Sequence, residues 1–254
     1  MMAGVMKFIY LTLLTGLSLT LNLTATPVGI PLTGNTQTDD WSNSSLTAAA
    51  NPGYGSFPGS GAWPQPIASD SGGDASLNKI ANGAGGGPYP GSGSIYFGGF
   101  SGDPNVDGGT LSVTDNSPVA NLQTVVFQIE IGEAWTYDFY NGVLPTLSYN
   151  GGTQNLVADF TSLSQVYNGT VEMPTGDEPV YINTWALQWD LSAIEAEITS
   201  FSLTFTGVQH AQLYSMQLDQ SDTFTQAVPE PTAGVLIGLG AFVMTYRLRR
   251  RRSA

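Results

Sequence analysis

His210 is the one histidine of the chain, and cysteine is absent. Cysteine nucleophiles and thiolate metal sites are therefore excluded, and a single His cannot supply the several His or Cys ligands that zinc takes. A Ser-His-Asp triad would have to use His210, yet no Gly-x-Ser-x-Gly elbow precedes a helix anywhere in the chain. His210 also shares parity with Gln212, Tyr214 and Met216, as a satisfied residue at a strand edge would. Glu130 with Glu133, and Glu195 with Glu197, have the right types for glycoside hydrolysis. That chemistry needs two carboxyls facing each other across a cleft, which spacing alone does not provide. The expectation is a protein with no catalytic residues.

Binding chemistry has better candidates. Asp103-Pro104-Asn105-Val106-Asp107-Gly108 matches the first half of a calcium loop, in which the oxygens of Asp103, Asn105 and Asp107 converge on one point and Gly108 permits a sharp turn. The twelfth position of such a loop is Thr114 rather than a bidentate glutamate, so an acidic turn between two strands is the competing reading. Asp70 and Asp74, in a Ser-Gly-Gly loop, are a weaker version of the same idea. Calcium is the only cofactor the sequence suggests. Neutral sugars are gripped by flat aromatic faces. Of the five tryptophans, Trp185 and Trp189 share parity with Leu187 and Leu191 and are expected in a core. Trp63, flanked by Pro64 and Pro66, and Trp135, beside Gly132 and Glu133, are the candidates for stacking on sugar.

Charge narrows the partners. Of the 7 basic residues, Lys7 lies near the start and Arg247, Arg249, Arg250, Arg251 and Arg252 lie near the end. From Pro27 to Val228 Lys79 is the one lysine or arginine, against 19 of the 20 acidic residues. Nothing in that stretch neutralises a phosphate, so nucleic acid and anionic lipid surfaces are excluded as partners. Divalent cations and neutral polymers remain.

The two ends carry address signals. Lys7 followed by the apolar Phe8–Leu21 has the layout of a signal peptide, with cleavage expected after Ala25 and an uncleaved signal anchor as the alternative. At the other end Val228-Pro229-Glu230-Pro231 precedes residues 232–246, which carry no charge, and then the arginines. As a helix those residues reach about 22 Å, short of a hydrocarbon core of about 30 Å. Arginine snorkelling and the flanking residues can close the gap. The arginines hold their end on the cytoplasmic side, which places the preceding chain outside.

Val228-Pro229-Glu230-Pro231, the short apolar helix and the arginine run in that order resemble the PEP-CTERM sorting signal. The resemblance implies recognition by an exosortase, an integral-membrane cysteine enzyme that cuts near the motif, and a setting of exopolysaccharide and biofilm production. It covers the tail and the leader and implies little about residues 27–227. A plain tail anchor is the alternative.

These segments must frame a body that folds. Residues 26–93 are rich in Gly, Pro, Ser and Asn, as in Asn51-Pro52-Gly53-Tyr54-Gly55, and are expected to be irregular and only partly ordered. Residues 94–225 read as the β-sandwich core. Val125, Phe127, Ile129 and Ile131 alternate with Gln128 and Glu130, predicting one buried and one wet face. Thr146–Tyr149, Asn150-Gly151 and Thr153–Phe160 read as a hairpin on a primed turn, and Asn168-Gly169 repeats the turn signal. Val180–Leu191 is a long strand, and Phe201, Leu203 and Phe205 alternate with Ser202, Thr204 and Thr206. In Gln212–Asp219, Tyr214, Met216 and Leu218 fall on one side and Ser215, Gln217 and Asp219 on the other. A short helix is expected around Ser192–Ile198. The pattern predicts an all-β chain: one antiparallel β-sandwich, jelly-roll-like, flanked by a signal peptide (1–25) and a C-terminal sorting segment (226–254) with a transmembrane helix. The weak likeness to jelly-roll ectodomains of PEP-CTERM proteins rests on Trp185–Ser192 and the final strands. The function expected is that of an exported, non-catalytic surface or matrix protein, held transiently in the inner membrane. A carbohydrate-binding module for a neutral polysaccharide is the first alternative and a glycoside-active enzyme the second.

Overall fold

The structure is a computed structural model and describes residues 31–227. The expected signal peptide, the motif Val228–Pro231, the apolar segment and the arginine cluster lie outside the described residues. Among the described residues no helix is long and apolar enough to cross a membrane.

The chain folds into two antiparallel sheets. The first joins β4 (Pro88–Pro90), β5 (Ile95–Phe97), β12 (Gln212–Ser221), β7 (Thr124–Gly132), β10 (Gly176–Asp190) and β9 (Phe160–Met173) in that spatial order. β1 (Thr36–Trp41) pairs with the far half of the β12 edge that β5 also uses, Trp41 opposite Met216 and Thr36 opposite Ser221. The second sheet runs β2 (Ile67–Ala68), β3 (Ser76–Asn82), β6 (Asp107–Asp115), β11 (Phe201–Val208) and β8 (Thr146–Tyr149).

The sheets close on a single apolar core. Phe127, Ile129, Ile131, Leu213, Met216, Leu218 and Trp189 enter it from the first sheet, and Leu77, Leu111, Val113, Leu203 and Phe205 from the second. The rings of Phe127 and Phe205 meet across the layers at 6.1 Å between centroids. Truncating a fully buried leucine such as Leu203 to Ala here costs about 2–5 kcal/mol. Buried indoles also act as ties: Trp41 Nε1 donates to the carbonyl of Ile67 at 3.1 Å, and Trp189 Nε1 to that of Leu156 at 3.0 Å.

β11 follows its pattern, Phe201, Leu203 and Phe205 buried and Ser202, Thr204 and Thr206 half-buried. β7 does not keep a wet face, since Val126 and Gln128 are also buried. It lies inside the sheet between β12 and β10, and residues 223–227 return over the neighbouring outer surface. Gln188 anchors that return, its Nε2 donating to the Thr225 carbonyl and its Oε1 accepting from Ala227 N, both at 2.6 Å.

Several local expectations change. The Gly- and Pro-rich stretch before residue 94 supplies β1 to β4, so strands of both sheets come from it. Asn150 and Gly151 take positive φ (52° and 66°), as a primed turn requires, but the returning limb makes a single bridge, Leu147 to Leu156, before the chain passes to the other sheet. Asn168-Gly169 lies within β9 beside a register irregularity, Gly169 at φ 122°, and is a bulge rather than a turn. Residues 192–198 form no helix. Asp190 Oδ1 accepts from Ser192 N (3.0 Å) and Oγ (2.6 Å), a local alternative to helical hydrogen bonding. The only helical piece among the described residues is a 3-10 turn, Tyr140–Gly142.

Candidate functional site

The nominated calcium loop commits its oxygens elsewhere. Asn105 Oδ1 accepts from Asn141 N at 2.8 Å, and Asp107 Oδ1 accepts from Gly109 N at 2.7 Å, while Asp103 is exposed. Gly109, not Gly108, takes the positive φ. Gly108 serves close packing, since a Cβ there would stand 2.6 Å from the Val208 carbonyl carbon.

The two stacking candidates sit apart, each packed on the core. Trp63 donates from Nε1 to the Pro88 carbonyl at 3.2 Å and tilts against Tyr54. Trp135 sets its ring edge-on to His210 at 4.9 Å. His210 lies in the turn between β11 and β12 rather than at a strand edge. Its Nε2 bonds the Ser101 carbonyl at 2.9 Å and its Nδ1 bonds the Tyr96 hydroxyl. The Nε2–H tautomer fits both partners, and both ring nitrogens are then spoken for. Glu130 faces outward from β7, whereas Glu133 accepts from Tyr181 N and Asn183 Nδ2, both at 2.9 Å. Asn183 faces inward with its partner Ile131, so these two carboxyls do not share a cleft. Glu195 and Glu197 are exposed in the 191–200 loop.

Of the second nominated pair, Asp70 accepts from Ser42 N and Oγ, both at 2.9 Å. Asp74, before β3, joins two carboxylates the sequence did not single out, Asp39 on β1 and Asp115 at the end of β6, with one oxygen of each within 4.8 Å of the others. Asp39 and Asp115 are fully buried. Such an oxygen-only donor set is of the kind calcium takes. The fold also supplies its own donors: Gln37 Nε2 reaches Asp74 at 2.5 Å, Asp39 at 3.2 Å and Asp115 at 3.5 Å, and Ser117 N reaches Asp115 at 2.8 Å. Burial pushes the Asp115 carboxyl above its ordinary range, and the charges of Asp74 and Asp39 push it the same way.

Two concave features lie on the outer face of the first sheet. A groove of about 330 Å³ lies over β1, β12, β7 and β10, with Asp40, Gln217, Gln128, Glu130, Ser215 and Thr184 along it. Cross-strand register lays these side chains in rows: Asp40 opposite Gln217 opposite Gln128, then Ser215 opposite Glu130 opposite Thr184. Ser215 Oγ donates to Glu130 at 2.9 Å. The Oδ1 of Asp40 and the Oε1 of Gln128 are buried with no hydrogen-bond partner among the described residues.

A second recess, about 370 Å³, continues along β12 and is lined by Tyr89, Tyr96, Gln212 and Tyr214. β12 is irregular between Leu213 and Ser215, so Tyr214 turns outward together with Ser215 while Leu213 and Met216 stay buried. Such bulges re-aim side chains. This corrects the expected alternation, which put Tyr214 with Met216 and Leu218. Burial raises the Tyr214 phenol above its ordinary value, and the charge of Glu130 adds to the rise.

No family model, curated protein or solved structure matches this chain. The outer face therefore has to be read from its own chemistry. It presents carboxylates, amides, hydroxyls and phenols and no cation. Lys79, the only basic residue among those described, belongs to the other sheet and gives its Nζ to the carbonyls of Gly59 and Gly61. Burial lowers its pKa to about 8.

Proposed function

We propose that this chain is an exported, non-catalytic surface or matrix protein, sorted through its C-terminal signal. In this reading the leader directs export and residues 232–246 hold the precursor in the inner membrane. An exosortase processes it near Val228–Pro231, and a jelly-roll-like sandwich is left at the cell surface or in the surrounding polysaccharide.

The observation that carries the reading is the partition of charge. Five arginines stand behind an uncharged apolar segment, while the whole described body has Lys79 as its only basic residue. Positive charge flanking a membrane segment stays on the cytoplasmic side, and the acidic body offers nothing to hold it there. The non-catalytic part is supported by His210 having both nitrogens bonded and by Glu130 and Glu133 lying on different sides of the sheet. The test is mass spectrometry of the protein released into the medium. Peptides from residues 31–227 without any covering Arg247–Ala254 are expected. Released protein that retains the arginine peptides contradicts processing.

A further inference from the structure

The outer face of the first sheet combines two features that a ligand would use. One is a buried acceptor with no partner: Gln128 is only 7% exposed, yet its Oε1 bonds nothing among the described residues, and Asp40 Oδ1 shares that condition. An unpaired buried polar group destabilises a fold, so a groove that keeps two of them leaves work for a donor from outside. The other is an aromatic wall in line with them, formed by Tyr214, Tyr96 and Tyr89, with Tyr96 and Tyr89 edge to face at 5.7 Å.

The spacing decides the size of the ligand. Asp40 and Gln128 stand two strands apart, roughly 10 Å, and the strip from Gln212 to Gln217 runs roughly 15 Å along β12. A single metal ion gathers its oxygens at about 2.3–2.6 Å and needs no such spread. A chain of sugar rings does.

The chemistry decides its class. Glu130 and Asp40 accept hydrogen bonds only, while Gln128, Gln217, Ser215 and Thr184 both give and accept, the complement of hydroxyls that also do both. Tyrosine rings offer flat apolar area for the C–H faces of pyranoses and lose little rotamer freedom on contact. With no Lys or Arg on this face and two carboxylates in it, phosphorylated or uronate-rich polymers are repelled. We propose that the groove and the tyrosine recess together form one binding strip for a neutral oligosaccharide or polysaccharide. Glu130, Gln128 and Asp40 bind its hydroxyls, and Tyr214 stacks on a ring between them. The strip needs neither Trp63, Trp135 nor the tail, and it stands or falls apart from the sorting reading.

The test is affinity electrophoresis of the full-length chain in detergent, run through gels holding glucan, mannan, galactan or xylan, with calcium titrated separately by calorimetry. Retardation by at least one neutral polysaccharide is expected. Glu130→Gln and Tyr214→Ala should each weaken it about tenfold. Gln128→Met, which removes the unpaired oxygen at nearly constant volume, should weaken it similarly while leaving the melting temperature unchanged or raised. A merely structural glutamine would instead destabilise the fold when replaced. No retardation by any of the four polymers overturns the proposal, as does retardation that all three variants retain. Calcium binding that is lost in Glu130→Gln, without polysaccharide binding, overturns it too.

Discussion

The ring of Tyr214 lies in the space left by the missing side chain of Gly132: a Cβ on Gly132 would stand 3.0 Å from Tyr214 Cε2. Gly132 closes β7 next to Glu130 and faces the same way, so the glycine makes room for a phenol at the edge of the groove. Gly132→Ala crowds only the free end of an outward side chain. Its cost in urea unfolding is expected to stay below about 1 kcal/mol, with retardation on polysaccharide gels reduced. A large loss of stability would show that the glycine serves the fold rather than the ring.

Gly108 provides the contrast. A Cβ there meets the backbone of Val208 and Gln209, at 2.6 and 2.7 Å, where β6 and β11 lose register, and backbone cannot swing aside. Gly108→Ala is expected to cost more than about 2 kcal/mol by denaturant titration. A change below about 0.5 kcal/mol would contradict the close approach.

Asp138 ties the loop after β7 to β10. One of its oxygens accepts from Asn183 Nδ2 at 2.8 Å and from Trp185 Nε1 at 2.7 Å. Asp138→Ala leaves the indole without this acceptor and takes one of two from the buried amide. The loss is expected at about 2–4 kcal/mol, read by thermal or urea unfolding. An unchanged midpoint would mean that water replaces the carboxylate freely.

The Asp39, Asp74 and Asp115 cluster sets a pH dependence. Asp115 is raised chiefly by burial and further by its two neighbours, against the pull of the hydrogen bonds from Ser117 and Gln220, and burial raises Asp219 as well. A carboxyl with a raised folded pKa binds a proton in the folded state where the unfolded chain has already released it. That contribution favours the fold at low pH and is lost as pH rises from the ordinary carboxylate value through the raised one. The melting temperature is expected to fall over that window, and less steeply in Asp74→Asn, which removes an exposed charge from the cluster. Stability that rises with pH in the same window would contradict this.

Strand content was legible wherever one face of a strand is buried and alternation is strict, as in β11. It was less legible where irregular backbone intervenes. The outward turn of Tyr214 comes from one extra residue in β12, and a period-2 pattern read across Gln212–Asp219 assigns it to the wrong face. The apolar alternation of β7 was correct, but its wet face was not, because burial of Gln128 and Val126 depends on which strands flank it. Asp39 and Asp115 are far apart in sequence and meet only because β1 and β6 belong to facing sheets, so no local motif announced them. Conversely the Asp103–Gly108 spacing was visible, but the structure turns its oxygens to Asn141 and Gly109. Charge partition needs no fold to be read.

That partition implies a direction of threading, and protease protection tests it most directly. Intact spheroplasts of cells expressing the full chain should lose residues 31–227 to added protease, while an epitope placed after Ala254 survives until the membrane is permeabilised. Protection of the β-rich body in intact spheroplasts, with its digestion only after lysis, would place it in the cytosol and contradict the account.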